Sequence, residues 1–500
     1  MAQIVASVFA ESPQQVSRAA ARAAMAGADW LELRLDRWPA GADLAPAIAQ
    51  SRLPVLVACR TPDDGGAFRG TLAERRDLLQ HALNAGAQGI DLEGWETWAP
   101  PPRHRLRLSI RSFHSFTGVP KELAEIRDRL LGRPGTIAKV VVTSHDLADA
   151  APVLDLLAQT DQEARPTVAF AMGRTAWPVR LLACALGAPL VYGALEAGAE
   201  TAPGQIPVGL LAGLYRAKEL NRGTAWLGLL GNPALSSLGP WLHNRACRRL
   251  GVDAVYLPFE TSRPDAVLAM LLRPQLRGLS VTAPFKGVLA PHCDQLDEAA
   301  AAIGVVNTIV VGPGGERIGY NTDVAGVEQA LRRAGTGDGE GRPAVVLGTG
   351  GAARAGAWAL LRMGFEVTLL GRSLEPARAF AKAHGLQLGG LAARVLDELR
   401  PAVVVHATPV GSIDRDPEER LVPDWTPVAG TIVLDMVYQP RLTRLLRDAQ
   451  AAGARTVAGV EMFLAQAAAQ VRWFTGGALE VDTLRGFLAG SGVAPAAPLA

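Results

Sequence analysis

A lysine interrupts an apolar stretch that otherwise has the composition of a buried strand. Lys139 lies in TIAKVVV at 136–142, among apolar and β-branched neighbours. A lysine in such a position must form an ion pair or lose its charge. Buried lysine amines add to ketones to form Schiff bases. The placement of Lys139 therefore indicates covalent carbonyl chemistry.

A glycine-rich turn follows the apolar strand predicted at 344–347 and precedes a helix predicted at 355–363. Gly348 permits a tight turn, Gly350 permits close approach of the backbone to a phosphate, and Ala353 lets the helix pack on the strand. The complete turn comprises Gly348, Gly350, Gly351, Ala352 and Ala353. Because such turns are common in α/β proteins, the neighbouring residues decide whether this one binds a dinucleotide.

The next predicted strand, 366–370, is followed by Gly371, Arg372 and Ser373. NAD sites usually carry Asp or Glu at this point to bind the ribose hydroxyls, whereas a cation and a hydroxyl suit the 2′-phosphate of NADP. The alternative is that Arg372 is an ordinary solvated surface charge. We expect NADP as the cofactor.

The composition limits the classes of protein to which the chain can belong. Its 500 residues are 49% hydrophobic and 20% charged, with a net charge of +2, which is typical of folded globular proteins and gives no field suited to nucleic acid. No stretch approaches the roughly 20 apolar residues of a membrane span, and the first residues lack the pattern of a signal peptide. The four cysteines are far apart, without metal-ligand spacing. We expect no metal, no membrane partner and a cytoplasmic location with reduced thiols.

The elements that must position these residues fall into an N-terminal and a C-terminal series. Strands are predicted at 4–9, 30–35, 54–59, 89–92, 106–110, 136–142, 167–171 and 189–192, with amphipathic stretches between most of them. Eight such units predict a (β/α)8 barrel, with a doubly wound open sheet as the alternative. A Gly-rich break at 334–342 then separates two further α/β units. The predicted division is 1–222 for the barrel, 223–340 completed by 459–489 for a substrate-binding unit, 341–458 for a Rossmann-like unit, and 490–500 for a flexible tail.

A series of segments in the second half resembles shikimate dehydrogenase. These segments are GNP at 231–233, SLGPWLHN at 237–244, VTAPFK at 281–286, GVVNT at 304–308, YNTD at 320–323, ATPVG at 407–411, DMVY at 435–438 and EMFLAQ at 461–466. The resemblance implies a two-lobed α/β dehydrogenase that reduces a ring ketone, which requires a proton for the nascent alkoxide. It makes Lys286 the expected donor and Asp323 the carboxylate that keeps the lysine charged. The other implied site residues are Ser237, Thr282, Asn307, Tyr438 and Gln466 for substrate, and Thr408 for cofactor.

The first half resembles type I 3-dehydroquinate dehydratase, a Schiff-base (β/α)8 enzyme. The matching segments are ELRLD at 32–36, CRT at 59–61, SFH at 112–114, AKV at 138–140, MG at 172–173 with Arg180, and TAPGQ at 201–205. By this resemblance Lys139 condenses with the ketone of 3-dehydroquinate, and His114 removes the neighbouring proton. Arg180, Thr201 and Gln205 are expected at the substrate carboxylate. Glu32, Arg34 and Arg60 are expected at the ring hydroxyls.

Four positions depart from the two families. Asp64 stands where the dehydratases usually have the glutamate that partners the catalytic histidine, and Thr201 replaces a serine. Ser280 replaces an asparagine before the VTAPFK segment. Gly239 removes one of the two serines of the dehydrogenase carboxylate clamp, and the loss of a donor to a carboxylate costs about 1.5–3 kcal/mol where nothing replaces it. Gly239 also leaves room beside C1 of the substrate, where quinate carries a hydroxyl that shikimate lacks. Quinate-preferring relatives of the plant fused enzymes also lack this serine.

The sequence thus predicts a fused enzyme of two consecutive steps, 3-dehydroquinate to 3-dehydroshikimate and then, with NADPH, to shikimate. One alternative is a dehydratase fused to a quinate-preferring dehydrogenase, which Gly239 favours, while Thr282 and Arg372 favour shikimate and NADP. A remote alternative is a ligand-sensing regulator without catalysis, which would be expected to have lost some of Lys139, His114, Lys286 and Asp323. The expected partners are these small molecules, and the oligomeric state is left open.

Overall fold

The computed structural model describes residues 1–101, 104–132 and 136–489. Its strands are β1 (Gln3–Phe9), β2 (Trp30–Arg34), β3 (Val55–Ala58), β4 (Gly89–Glu93), β5 (Leu108–His114), β6 (Ile137–Thr143), β7 (Thr167–Met172), β8 (Leu190–Ala194), β9 (Ala225–Gly231), β10 (Ala254–Glu260), β11 (Leu276–Val281), β12 (Gln295–Leu296), β13 (Thr308–Val311), β14 (Arg317–Tyr320), β15 (Pro343–Leu347), β16 (Glu366–Gly371), β17 (Gln387–Gly390), β18 (Val403–His406), β19 (Ile432–Asp435) and β20 (Arg455–Val457). Its α-helices are α1 (Pro13–Ala26), α2 (Ala45–Ala49), α3 (Leu72–Asn84), α4 (Leu123–Leu130), α5 (Ala151–Gln159), α6 (Pro178–Ala185), α7 (Gly239–Leu250), α8 (Pro264–Leu271), α9 (Glu298–Ile303), α10 (Thr322–Arg333), α11 (Gly351–Arg362), α12 (Glu375–His384), α13 (Ala393–Leu399), α14 (Arg444–Ala451), α15 (Gly459–Thr475) and α16 (Val481–Ala489).

The first eight strands form one parallel sheet that curls into a barrel. Their order is β7-β6-β5-β4-β3-β2-β1-β8, so β1 lies between β2 and β8. At the two ends of this ladder, the rings of Phe170 on β7 and Tyr192 on β8 lie 6.2 Å apart. The strands are near-continuous apolar runs because helices cover their outer face and side chains fill the interior. The predicted (β/α)8 barrel is confirmed.

The fifth strand was predicted at 106–110, and β5 instead spans Leu108–His114. The polar residues that made the strand seem to stop are buried within it. Arg111 lies in the ladder and donates to the carbonyl oxygen of Trp98 at 2.9 Å, while Ser112 pairs in register with Lys139 of β6. A strand that contains bonded polar groups continues past the end of its apolar run, and this extension carries His114 to the barrel mouth.

Two six-stranded sheets follow. The mixed sheet has the order β10-β9-β11-β13-β14-β12, and the parallel sheet has the order β17-β16-β15-β18-β19-β20. Helix α15 leaves the parallel sheet and packs against α10, β11 and β13, and α16 packs against α7. The C-terminal helices therefore return to the mixed sheet, so the second half has two lobes, as predicted. The segment 490–500, predicted as a flexible tail, lies outside the described residues.

Side chains bridge the barrel and the mixed sheet. Arg174, after β7, forms an ion pair with Glu260 at the end of β10, with 2.9 Å between Nη1 and Oε1. Asp146, after β6, accepts a hydrogen bond of 2.6 Å from the hydroxyl of Thr261. These contacts join loops at the carboxyl ends of barrel strands, where barrel enzymes place their sites, to the start of the dehydrogenase-like half.

Candidate active sites

The barrel encloses a cavity of about 90 Å³ at the carboxyl ends of its strands. All nine residues that the sequence assigned to the dehydratase line this cavity: Glu32, Arg34, Arg60, Asp64, His114, Lys139, Arg180, Thr201 and Gln205. Tyr192 and Phe116 also line it and were not predicted. The structure therefore brings together side chains from six strands or their loops into one charged pocket.

Lys139 is 4% exposed and is held by carboxylates of the barrel interior. Its Nζ donates to Asp91 Oδ2 at 2.8 Å and lies 3.7 Å from Glu32 Oε1. Burial by itself raises the pKa of Asp91, but the charges of Lys139 and Arg60 outweigh it and hold that pKa below its usual range. Of the two outcomes expected for a buried lysine, the structure has the ion pair. Asp91 was missed by the sequence reasoning.

His114 ends β5 beside a second unpredicted carboxylate. Its Nδ1 lies 3.3 Å from Glu93 Oε2, and Arg60 Nη1 is 2.6 Å from Nε2. Burial, and after it the charge of Arg60, lowers the pKa of His114 well below its usual value, so the imidazole is neutral and able to accept a proton. Asp64, which stands where the dehydratases have the glutamate that partners the histidine but is one methylene shorter, accepts hydrogen bonds from Thr61 Oγ1 at 2.8 Å and Trp95 Nε1 at 3.2 Å. The carboxylate in contact with the histidine is Glu93.

Arg180 adds a buried cation to the cavity lining, and no carboxylate of the described residues pairs with it. Arg180 is 2% exposed, donates from Nε to the carbonyl oxygen of Gly204 at 2.9 Å, and stacks 4.0 Å over the Phe170 ring. Its Nη1 has no partner among the described residues. Thr201 Oγ1 donates to Ser7 Oγ at 2.7 Å, and its backbone N–H donates to Gln205 at 2.9 Å. A buried guanidinium with a free N–H is suited to a carboxylate ligand.

The second site is a cleft of about 380 Å³ between the two lobes. It is lined by every residue that the sequence assigned to substrate or acid–base chemistry in this half: Ser237, Thr282, Lys286, Asn307, Asp323, Tyr438 and Gln466. Lys286 and Asp323 form a direct ion pair. Asn307 donates to the other oxygen of Asp323 at 2.8 Å. Asp323 is held there because α10 begins beside it, with Asn321 capping the helix.

The clamp end of this cleft is built from hydroxyls around Gly239. Ser237 Oγ accepts the Gly239 N–H at 3.0 Å. A Cβ at Gly239 would lie 3.2 Å from that Oγ and 3.3 Å from the Tyr256 hydroxyl. Ser280, the departure before VTAPFK, donates to Gln470 Oε1 at 2.9 Å. Tyr256 and Gln470 line the cleft and were not predicted from the sequence.

The predicted dinucleotide turn joins β15 to α11. Gly348 has φ +129°, and a Cβ there would lie 3.0 Å from the Ala407 carbonyl oxygen, so glycine is required. Gly350 caps α11, which begins at Gly351, four residues earlier than predicted, because the turn residues Ala352 and Ala353 already have helical geometry. The helix N-terminus thus faces the turn, an arrangement that suits a pyrophosphate.

The far side of this turn is basic. Arg372 and Ser373 are exposed after β16, as a 2′-phosphate site requires. Thr408 Oγ1 contacts His406 Nε2 at 2.6 Å, and the other ring nitrogen of His406 contacts Asp435 at 2.8 Å. These residues fit NADP. In the described residues no cluster of three or more His, Cys, Asp or Glu side chains could hold a metal, and no described helix is long and apolar enough to cross a membrane.

Comparison with known proteins places both sites in known families. The family model for type I 3-dehydroquinase matches residues 4–222, and that for the shikimate dehydrogenase substrate binding domain matches residues 229–309. The chain is 31% identical over 501 residues to the chloroplastic bifunctional 3-dehydroquinate dehydratase/shikimate dehydrogenase of Arabidopsis thaliana, covering 95% of this chain and 82% of the relative.

One further relative matches the second half of the chain, and one solved structure matches nearly all of it. A shikimate dehydrogenase (NADP(+)) of Moorella thermoacetica is 39% identical over 272 residues, covering 52% of this chain and 90% of the relative. The solved dehydroquinate dehydratase and shikimate dehydrogenase from S. pombe is 23% identical, covers 98% of each chain and has a TM-score of 0.43. With both halves matched in order and a full-length relative above 30% identity, the chain belongs to the family of bifunctional 3-dehydroquinate dehydratase/shikimate dehydrogenases.

Proposed function

We propose that the barrel converts 3-dehydroquinate to 3-dehydroshikimate through a Schiff base on Lys139, and that the cleft reduces this product to shikimate. The observation that carries the proposal is that Lys139 and Arg180, whose Nη1 has no partner among the described residues, line one cavity. A ring with a ketone at one end and a carboxylate at the other can meet both at once.

The barrel residues account for each step of the dehydration. Lys139 forms a C–N bond to the ketone carbon, and the ketone oxygen leaves as water, which gives a protonated imine. Neutral His114 removes a proton from the adjacent carbon, and the electron pair moves into the imine. The C1–O bond then breaks, and the hydroxyl leaves as water with the proton that His114 returns. Water finally hydrolyses the imine and releases Lys139.

In the cleft the ketone is reduced and protonated. NADPH, when bound, supplies the hydride. Lys286 protonates the developing alkoxide, and Asp323 holds Lys286 charged and aimed at that oxygen. Asn307 orients Asp323. Ser237 binds the substrate carboxylate, and Tyr438, which lines the same cleft, lies near both the substrate and the nicotinamide.

The test is a coupled assay on the purified chain. Adding 3-dehydroquinate and NADPH should oxidise NADPH, because both sites must act in turn, and adding 3-dehydroshikimate should do so through the cleft alone. Borohydride with 3-dehydroquinate should add substrate mass to the peptide that carries Lys139. Arg372→Ala should raise the KM for NADPH about tenfold and leave that for NADH almost unchanged. Absence of the borohydride adduct would refute the Schiff base.

A quinate-preferring dehydrogenase is the second candidate function, and Gly239 is the observation that favours it. By the family resemblance the loss of this serine suits the additional hydroxyl of quinate, although a Cβ at Gly239 would lie 3.2 Å from Ser237 Oγ and 3.3 Å from the Tyr256 hydroxyl, so both groups border that position. Thr282 and Arg372 support shikimate and NADP instead. Assays of NADP+ and NAD+ with shikimate and quinate separate the two candidates, and Gly239→Ser should shift the preference toward shikimate.

The proposal also covers the domain boundaries and the cellular location of the protein. We divide the chain at 222/223, 340/341 and 458/459, a division supported by the ranges of the three sheets. The described cysteines are free, which supports a reducing cytoplasmic location. The expected partners are the small-molecule substrates, without nucleic acid.

A further inference from the structure

Tyr192 places a buried hydroxyl in the wall of the barrel cavity. It lies on β8, is 2% exposed and lines the barrel cavity. Its hydroxyl forms no hydrogen bond among the described residues. Buried hydroxyls are almost always paired, and an unpaired one destabilises the fold. The hydroxyl is therefore suited to a ligand that enters the cavity.

The ring of Tyr192 connects the two groups that would hold the substrate. Lys139 Nζ lies 3.9 Å above the ring centroid. The centroids of the Tyr192 and Phe170 rings are 6.2 Å apart, and the guanidinium carbon of Arg180 lies 4.0 Å from the Phe170 ring centroid. The contacts thus run from the Schiff-base lysine through two rings to the expected carboxylate anchor. A substrate bound to both ends must pass over Tyr192.

The phenol of Tyr192 is neutral throughout the pH range in which the enzyme would work. Burial, and after it the negative charges of Glu32 and Asp91, raises the pKa of Tyr192 well above its usual value. The hydroxyl therefore keeps its proton and remains a hydrogen-bond donor.

We propose that Tyr192 is a catalytic residue of the dehydratase site, whose hydroxyl donates a hydrogen bond to the ketone oxygen of the substrate while Lys139 adds to the ketone carbon. This inference rests on the proposed Schiff-base function. In the step, the ammonium of Lys139 and the C=O group become C=NH+ and water: a C–N bond forms, the C–O bond breaks, and two protons pass from nitrogen to the departing oxygen. Tyr192 keeps its own proton and stabilises the charge that develops on that oxygen. Its ring face stabilises the nitrogen, which is cationic before and after the step.

The test compares Tyr192→Phe with Tyr215→Phe in the full chain. Tyr215 is also buried in the barrel half but packs against Trp177, with 5.4 Å between ring centroids, outside the cavity lining. Tyr192→Phe should lower kcat/KM of the dehydratase at least tenfold and slow the borohydride trapping of Lys139. Its Tm should stay equal or rise, because an unpaired hydroxyl is removed. Tyr215→Phe should leave the dehydratase within twofold, and dehydrogenase activity serves as the internal control for folded protein.

The isotope effect identifies the step. With substrate deuterated at the carbon that loses its proton, the kinetic isotope effect should shrink in Tyr192→Phe, because imine formation becomes rate-limiting. An unchanged kcat/KM in Tyr192→Phe would overturn the inference, and so would a loss of activity that merely tracks a lower Tm. If the unsubstituted chain forms no borohydride adduct, the Schiff-base function itself is refuted and this inference with it; an adduct in both proteins with equal trapping rates refutes only the role of Tyr192.

Discussion

The barrel cavity and the interlobe cleft bury charge in different amounts. The smaller cavity, about 90 Å³, is surrounded by a network of buried acidic and basic side chains: Glu32, Arg60, Asp91, Glu93 and Lys139. The cleft, about 380 Å³, contains one ion pair, Lys286 with Asp323, among amides and hydroxyls. Covalent catalysis on one small ring needs charges fixed close around it, whereas hydride transfer needs room for two ligands and one proton donor.

The two lysines show the same difference at the level of single residues. The side chain of Lys139 is 5% exposed and has a second carboxylate nearby, while that of Lys286 is 17% exposed and pairs with one. A nucleophile that must form a bond is held within a rigid network, whereas a proton donor needs contact with the ligand and with a path for a new proton. The two sites should therefore fail independently and for different reasons.

Replacement of the buried lysine should have the largest effect. Lys139→Met should lower dehydratase kcat by at least about 10³-fold, because no other amine lines the cavity in the described chain. Asp91 keeps the ion pair of 2.8 Å with Arg60, so the carboxylate stays compensated and the fold should persist. NADPH oxidation should vanish with 3-dehydroquinate and stay within twofold of normal with 3-dehydroshikimate. Loss of both activities would show that the two sites depend on each other.

Replacement of Asp323 in the cleft should affect only the dehydrogenase activity. Asp323→Asn should lower dehydrogenase kcat by about 10²–10³-fold, because Lys286 loses the carboxylate that pairs with it and orients it. Dehydratase activity, followed by 3-dehydroshikimate formation, should not change. Asp294→Asn is the matched control, since that exposed carboxylate pairs with Arg317 outside the cleft. A similar loss in both variants would assign Asp323 a structural role.

The residues that the sequence assigned to the two sites line the two cavities, but the sequence did not reveal the network behind Lys139. Asp91 and Glu93 are two apart in one strand, so their side chains share a face. That spacing is a usable signal, yet ending the strand at 92 left Glu93 outside the predicted element. Which face points inward depends on barrel register, which local patterns do not specify. Tyr192 was also not predicted, because an aromatic residue in a strand usually belongs to the core.

The pH dependence should separate the sites further. The pKa of His114 is lowered well below 6.5 by burial and then by Arg60, so the neutral base survives on acidification. Dehydratase kcat/KM should therefore lose less than twofold between pH 7.5 and about 6.5, where an ordinary histidine would already be half protonated. The same shift lowers stability below about pH 6.5, because the unfolded histidine binds a proton that the folded one does not. A dehydratase acid limb centred at 6.5 or above would contradict the burial of His114.

The contact between the two halves should have the smallest effect. Glu260 accepts the backbone N–H groups of Ala234 and Leu235, at 2.8 and 3.1 Å, and thereby holds the segment that presents Ser237 to the cleft. Arg174 of the barrel pairs with the same carboxylate, but its side chain is 50% exposed, and such pairs contribute less than about 1 kcal/mol.

Arg174→Ala should accordingly raise the KM for 3-dehydroshikimate by about two- to fivefold and leave kcat unchanged, because the clamp loosens while the Lys286–Asp323 pair stays intact. Arg273→Ala is the matched control, since its ion pair with Asp155 also joins the two halves, at 2.6 Å, but does not line either cavity. A raised KM in both variants would mean that any weakening of the contact between the two halves displaces the segment that carries Ser237. A raised KM in Arg174→Ala alone would mean that the barrel contributes one residue to the positioning of the Ser237 segment in the cleft.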